Sequence, residues 1–271
     1  MDTARDLILS TPVFPYLWVP HCILMCTALR SSTLGSDRWR QFSRTHPLSC
    51  LMLALVYIFP GGILANLVHG DPLLAFMRLG WNLYSSLLVW YLVFYSPADL
   101  FFKMVSGFPG LLSLFTILQD WQRIGLVLSG LETINEEAPG LFLYPVVFGV
   151  IKSSGFMFVK YLEVGILQGL KTGFRVPNQA TKTMIFAAIL LQLHKLYDLF
   201  PVSMQELYCI MVVFAISMRL VTILLTRSDW DPYLSFEYVI SYLLFGNPEE
   251  QNSTNSTNQE KNKKIKSQKK D

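Results

Sequence analysis

Six charged side chains lie inside stretches of sequence that are otherwise apolar: Asp120, Arg123, Lys152, Lys160, Glu163 and Arg219. A charge at mid-bilayer costs on the order of 3 kcal/mol on insertion scales, so such residues face a bundle interior or a wet cavity. Two kinds of chemistry are open to them, passage of ions and mutual neutralisation. Asp120 and Arg123 are three residues apart, as are Lys160 and Glu163, close enough to pair on one helix face. Lys152 has no acid within helical reach. It is followed directly by Ser153-Ser154-Gly155, and a second run of small or helix-breaking residues, Pro60-Gly61-Gly62, interrupts the apolar segment 58–67, IFPGGILANL. In lipid a freed amide or carbonyl is tolerated only where it faces protein or water, so paired interruptions mark a polar path across the bilayer. The plainer alternative is glycine used for close helix packing.

The patterns of catalysis are missing. The chain has no HExxH, no Gly-x-Gly-Asp and no G-x-S-x-G, and only four histidines. His194 and Asp198 are four residues apart, the geometry of a satisfied histidine at a helix end. Cys22, Cys26, Cys50 and Cys209 all fall in apolar stretches without CxxC or metal-ligand spacing and read as inert buried thiols. No enzyme, no catalytic residue, no metal and no nucleic-acid partner is expected.

The elements that must position these residues are membrane helices. The 271 residues are 52% hydrophobic and 15% charged, and the mean hydropathy is +0.39, which excludes an ordinary soluble domain. A hydrocarbon core of about 30 Å takes roughly 20 apolar residues per helix. Seven stretches approach that length, at about 12–29, 47–69, 79–96, 100–130, 141–169, 181–199 and 203–225. The N-terminal MDTARDLILS has neither a basic run nor a small-residue cleavage site, so a retained first helix is expected rather than a signal peptide. With seven spans, Arg30, Arg38, Arg40, Arg44, Lys103, Lys171, Arg175, Lys182, Arg227 and the six tail lysines share one side, against Arg5, Arg78 and Lys195 on the other. Basic residues stay in the cytosol, which puts the C-terminus there and the N-terminus in the lumen.

The tail, residues 247–271, is polar and basic and is expected to be disordered. Its two sequons, at Asn252 and Asn255, are silent in this orientation. The segment 231–246 is apolar, aromatic and short of a span, suited to the interface or to the bundle surface. ETINEEAPG, residues 132–140, has three acids but no EF-hand spacing and reads as a solvated loop.

The interruptions fall in the second and fifth apolar stretches, three helices apart. Helices 1 to 3 (about 12–96) and 4 to 6 (about 100–199) then form two copies, and an odd number of helices per copy makes them inverted relative to each other, with helix 7 (203–225) added. Residues 1–246 form one all-α transmembrane domain in this reading.

The segments SRTHPLSCLMLALVYIFPGGILANLVHGDPLLAF (43–76), VWYLVFYSPADLFFK (89–103), GVIKSSG (149–155) with Glu163 downstream, and LFPVS (199–203) resemble, in order and spacing, the trimeric intracellular cation channel family. The resemblance covers roughly 40–246. It implies a homotrimer in the endoplasmic or sarcoplasmic reticulum membrane with one pore per subunit. Each pore would pass potassium and other monovalent cations as counter-current to calcium release. The implied fold is seven helices, two inverted three-helix repeats plus a seventh, with glycine breaks in the second and fifth. Animal members carry Lys-Glu-Val-x-Arg-x-x-Lys on the fourth helix, which grips phosphatidylinositol 4,5-bisphosphate. Here the aligned residues run from Gln119 to Leu126, keeping Asp120 and Arg123 but neither lysine. An amide offers a phosphate only a dipole, so lipid binding is carried over weakly, on Gln119 and Arg123.

A cation pathway needs only partial replacement of the ion's hydration shell along a narrow polar route. Gly61, Gly62, Ser153, Ser154 and Gly155 are therefore expected at its waist. Lys152 at that waist would repel a cation, so it either bonds carbonyls of the broken helix to one side or acts as a voltage-moved gate. A seven-helix receptor is disfavoured by the lack of an Asp/Glu-Arg-Tyr, an Asn-Pro-x-x-Tyr and an extracellular cysteine pair. A seven-helix sugar carrier is disfavoured because its repeats run parallel. Uncoupled relaxation of a potassium gradient separates a channel from a small-solute transporter or receptor.

Overall fold

In the computed structural model the described residues are 2–224 apart from 33, 34, 79 and 169–177, together with 233, 234, 238, 239 and 242. The expectations for 247–271, for Lys171, Arg175 and Arg227, and for most of 231–246 lie outside them. The chain divides into two units, Met1–Arg227 and Ser228–Asp271. All the functional residues discussed below belong to the first.

Among the described residues that unit contains eleven α-helices: α1 (Asp2–Ser10), α2 (Trp18–Arg30), α3 (Ser36–Thr45), α4 (Pro47–Ile58), α5 (Pro60–His69), α6 (Trp81–Tyr95), α7 (Leu100–Gly107), α8 (Pro109–Glu137), α9 (Leu143–Gln168), α10 (Gln179–Tyr197) and α11 (Met204–Leu224). Proline opens α4, α5 and α8, where its missing N–H removes no intrahelical bond. Gly70 ends α5 in the left-handed conformation at φ 88°, which only glycine adopts without steric cost.

Every apolar stretch expected to be helical contains a helix, but three boundaries differ. The first helix begins at Trp18 rather than near residue 12. The second is two helices, α4 and α5, bent by 71°. The stretch 100–130 is divided at Phe108, because Pro109 cannot continue α7; α7 instead turns 87° from α6, and the long helix starts at Pro109. By length and composition Leu143–Glu163 and Met204–Leu224 can each cross a membrane, and the two bent pairs can if each counts as one span. α2, at 13 residues, reaches only about 20 Å. α8 is long enough but carries Asp120, Arg123 and Glu132 along its length.

Two buried clusters make the core. One joins α2, α4 and α6, with Cys22, Leu29, Cys50, Ala54, Ile58, Val93 and Phe94 almost fully enclosed. The other joins α8, α10 and α11 through Ile124, Val127, Met184, Leu191 and Val212. α9 packs against α8, α10 and, across the two halves, α5.

A buried charge cluster closes one end of the first half. Arg30, 2% exposed, pairs with Asp99 at 3.0 Å, donates to the Val93 carbonyl and lies over the Phe102 ring at 4.2 Å. Arg40 takes the other Asp99 oxygen at 3.0 Å. One carboxylate thus ties α2 and α3 to the α6–α7 corner, where Ala98 and Asp99 hold positive φ.

Candidate functional site

The break between α4 and α5 follows from Pro60, which has no N–H for the preceding turn and whose ring crowds the carbonyl four residues back. Phe59 leaves helical geometry at φ −108°, ψ 26°. The Ile58 carbonyl, which a straight helix would pair with the Gly62 amide, instead accepts from His21 Nε2 of α2 at 2.9 Å. Gln119 of α8 in turn donates to His21 Nδ1 at 3.2 Å. The imidazole therefore carries its hydrogen on Nε2 and accepts on Nδ1.

The second break is the bend in α9 at Ser154, φ −118°, ψ 15°. At this bend the Ser153 carbonyl accepts from Arg123 Nε at 2.9 Å, and Arg123 Nη2 donates to Ser154 Oγ at 3.0 Å. Ser154 is fully enclosed. It secures the break from behind and does not line the cavity described next.

The two breaks touch. A Cβ on Gly155 would fall on the backbone of Gly61 and Pro60, and one on Gly61 would fall on the Lys152 carbonyl. Only glycine permits that approach. Gly62, one residue on, has nothing within 4 Å of its Cβ position. Beside the contact lies a cavity of about 780 Å³ whose wall includes Gly61, Gly62, Lys152, Ser153 and Gly155, with Gln119 and Arg123 from α8. Seven of the eight residues picked from the sequence thus converge on one space, and Ser154 stands just behind it.

Lys152 meets Gly61 through its carbonyl, and its stem runs against α8, its Cδ 3.5 Å from the Cβ position of Gly130. Among the described residues its ammonium has no hydrogen bond or ion pair. The cation bonded to the carbonyl of the broken helix is Arg123, not Lys152.

The ion pairs differ in part from those expected. Asp120 is held by Arg219 of α11 through two bonds of 2.6 and 3.1 Å, whereas Arg123 is 3.8 Å away. Bidentate geometry makes Arg219 the principal partner, and Arg123 is thereby left for the serines. Lys160 and Glu163 do pair, at 2.8 Å, and Tyr57 of α4 donates to the same carboxylate at 2.6 Å. The Lys160 ammonium lies 5.4 Å from the Tyr57 ring centroid. His194 is buried while Asp198 is 94% exposed at 3.8 Å, and neither lines the cavity. Among the described residues no group of three His, Cys, Asp or Glu could hold a metal, and all four cysteines are free and buried.

Sequence reasoning missed His21, Tyr57 and the partner of Arg219. His21 stands within an apolar stretch as one of four histidines, which was a signal. Arg219 and Asp120 are 99 residues apart and could be matched only by counting unpaired intramembrane charges.

Residues 37–226 match the family model described as TRIC channel. The trimeric intracellular cation channel type 1B.2 of Caenorhabditis elegans is 30% identical over 222 residues, covering 80% of this chain and 69% of that protein. The type A channel of Homo sapiens is 28% identical over 238 residues, covering 87% and 77%. Among solved structures, a trimeric intracellular cation channel from C. elegans in the absence of Ca2+ superimposes with a TM-score of 0.75 at 27% identity, over 85% of this chain and 99% of that one. One with bound Ca2+ superimposes with a TM-score of 0.74 at 28% identity, over 82% and 96%.

Proposed function

The chain belongs to the TRIC channel family, an all-helical family of cation channels, and from that premise we propose that it conducts potassium and other monovalent cations across the endoplasmic or sarcoplasmic reticulum membrane. The current balances charge while calcium is released. The protein works as a homotrimer with one pore per subunit, as the names of its relatives suggest for the assembly. Its seven spans form two inverted three-helix repeats and a last helix, with the N-terminus luminal and the C-terminus cytosolic.

One observation carries this reading: two broken helices meet at Gly61 and Gly155 and open together on a single cavity inside one chain. A pore at a subunit interface would not need that arrangement. In this reading the ion exchanges part of its hydration shell for the oxygens of the α5 and α9 breaks, with Gly61, Gly62, Ser153 and Gly155 at the waist and Ser154 fixing the bend. Lys152 is the gating charge in this reading: its ammonium has no hydrogen bond or ion pair among the described residues, and Glu132 of α8 is the acid that attracts it. Moving it through the full field is worth about 2.3 kcal/mol per 100 mV.

No cofactor is required. A phosphatidylinositol 4,5-bisphosphate headgroup on Gln119 and Arg123 would have to displace His21 from one and the two serines from the other. Labelled phosphoinositide binding unchanged by Arg123→Ala removes this site.

The test of function is flux. Purified protein in liposomes should relax a potassium gradient without coupling to protons or sugar. A transport rate that saturates and requires a second gradient would make it a carrier.

A further inference from the structure

The two breaks are served by side chains of different chemistry. At each break one backbone carbonyl accepts from a polar side chain of the first long helix of its own half. His21 of α2 reaches Ile58, 37 residues on, and Arg123 of α8 reaches Ser153, 30 residues on. In the second half the donor is a permanent cation, with a further hydrogen bond to Ser154. In the first half it is a single imidazole N–H, with Gln119 holding the other ring nitrogen. Gln119 and Arg123 are one turn apart on α8, so this one helix stands behind both breaks.

Resting on the channel reading above, we propose that His21, oriented by Gln119, is a positioning residue of the ion pathway: it sets the direction of the Ile58 carbonyl and so holds the α5 side of the waist apart. His21, Ile58 and Gln119 all line the cavity. Trp18 fixes the ring from one side, its own ring 5.5 Å from His21 and 5.2 Å from Phe59 at the break, with its indole N–H on the Asn82 carbonyl at 3.0 Å. Without the imidazole N–H, the Ile58 carbonyl has two ways to be paired. It can draw the Gly62 amide back and lessen the 71° bend at the waist, or it can turn to the cavity and bind the ion too tightly. Both lower the current. A neutral donor at this place also keeps a further fixed positive charge off the pathway, whose wall already includes Arg123 and Lys152.

The experiment compares single-channel potassium currents of the full-length wild type, His21→Gln, His21→Asn and Gln119→Leu in planar bilayers. The amide nitrogen of glutamine occupies the place of Nε2, whereas that of asparagine matches Nδ1 and falls short of Ile58. His21→Asn should lower unit conductance by about fivefold, the scale on which one net hydrogen bond shifts an equilibrium. His21→Gln should stay within about twofold of wild type, and Gln119→Leu, which leaves the donor present but unoriented, should fall between them. Melting of the purified variants is recorded alongside; His21→Asn and His21→Gln should melt together, so a role in stability alone does not reproduce the split in conductance. Asparagine and glutamine giving equal conductance, or all variants matching wild type, overturns the proposal. A wild type that passes no cation sinks the channel reading and this inference together, whereas a conducting wild type with indistinguishable variants sinks only this one.

Discussion

Gly155 of α9 lies directly against Gly61 of α5, so close that a Cβ on Gly155 would overlap the backbone of its partner and of Pro60. The contact is backbone on backbone. No flexible side chain can yield to make room, and any residue larger than glycine must push the two broken helices apart or rotate one of them.

Gly155→Ala should therefore lower potassium flux in liposomes by about tenfold or more, because a displacement of even 1 Å at the waist changes every ion–carbonyl distance. Gly110→Ala is the control. With no neighbour within 4 Å of its Cβ position and no part in the cavity wall, it should leave flux within about twofold. Equal loss of flux in both variants would mean that the glycine contact is not what matters.

The Asp120–Arg219 pair predicts a stability effect. Removing one member of a buried ion pair leaves an uncompensated charge and costs about 3–5 kcal/mol. Asp120→Asn should lower the melting temperature of the detergent-solubilised protein, and the added change Arg219→Leu should recover part of the loss. In double-mutant cycles, coupling of Asp120 to Arg219 should exceed coupling to Arg123, in keeping with 2.6 Å against 3.8 Å. Stronger coupling to Arg123 would return the local pair to first place.

Lys152→Gln should flatten the dependence of open probability on voltage, since the substitution removes an ammonium, on a residue of the cavity wall, that lacks a hydrogen bond or ion pair among the described residues. Superimposable gating curves for variant and wild type in planar bilayers would show that the charge does not move in the field.

Asp99→Asn should destabilise the first half of the chain by about 3–5 kcal/mol, since it withdraws the counter-ion of the enclosed Arg30 and of Arg40 together. The expected sign is earlier melting, with conductance kept in the molecules that remain folded.

Much of the fold was legible locally. Proline at residues 47, 60 and 109 starts helices where proline is tolerated, and the apolar runs supply the lengths. The bend of 71° at Phe59 was visible as Pro-Gly-Gly and the bend in α9 as Ser-Ser-Gly. The turn that divides 100–130 was less visible: Phe108-Pro109 was there to be read, but unbroken hydropathy on both sides hid it.

What the sequence by itself determined is an all-helical chain for a lipid solvent, with two helices that break at named small residues and a few charges that lipid would not accept unpaired. Those properties depend on residue type and short spacing, and backbone sterics and desolvation enforce them wherever the chain goes. Only the tertiary structure decided which groups answer which. His21 serves Ile58, Arg123 serves Ser153, and Arg219 takes Asp120 from 99 residues away. An intramembrane polar group must find a partner, but any of several side chains can satisfy that demand; the choice among them is made by the packing of α2, α8 and α11 around the two breaks, which no local spacing records.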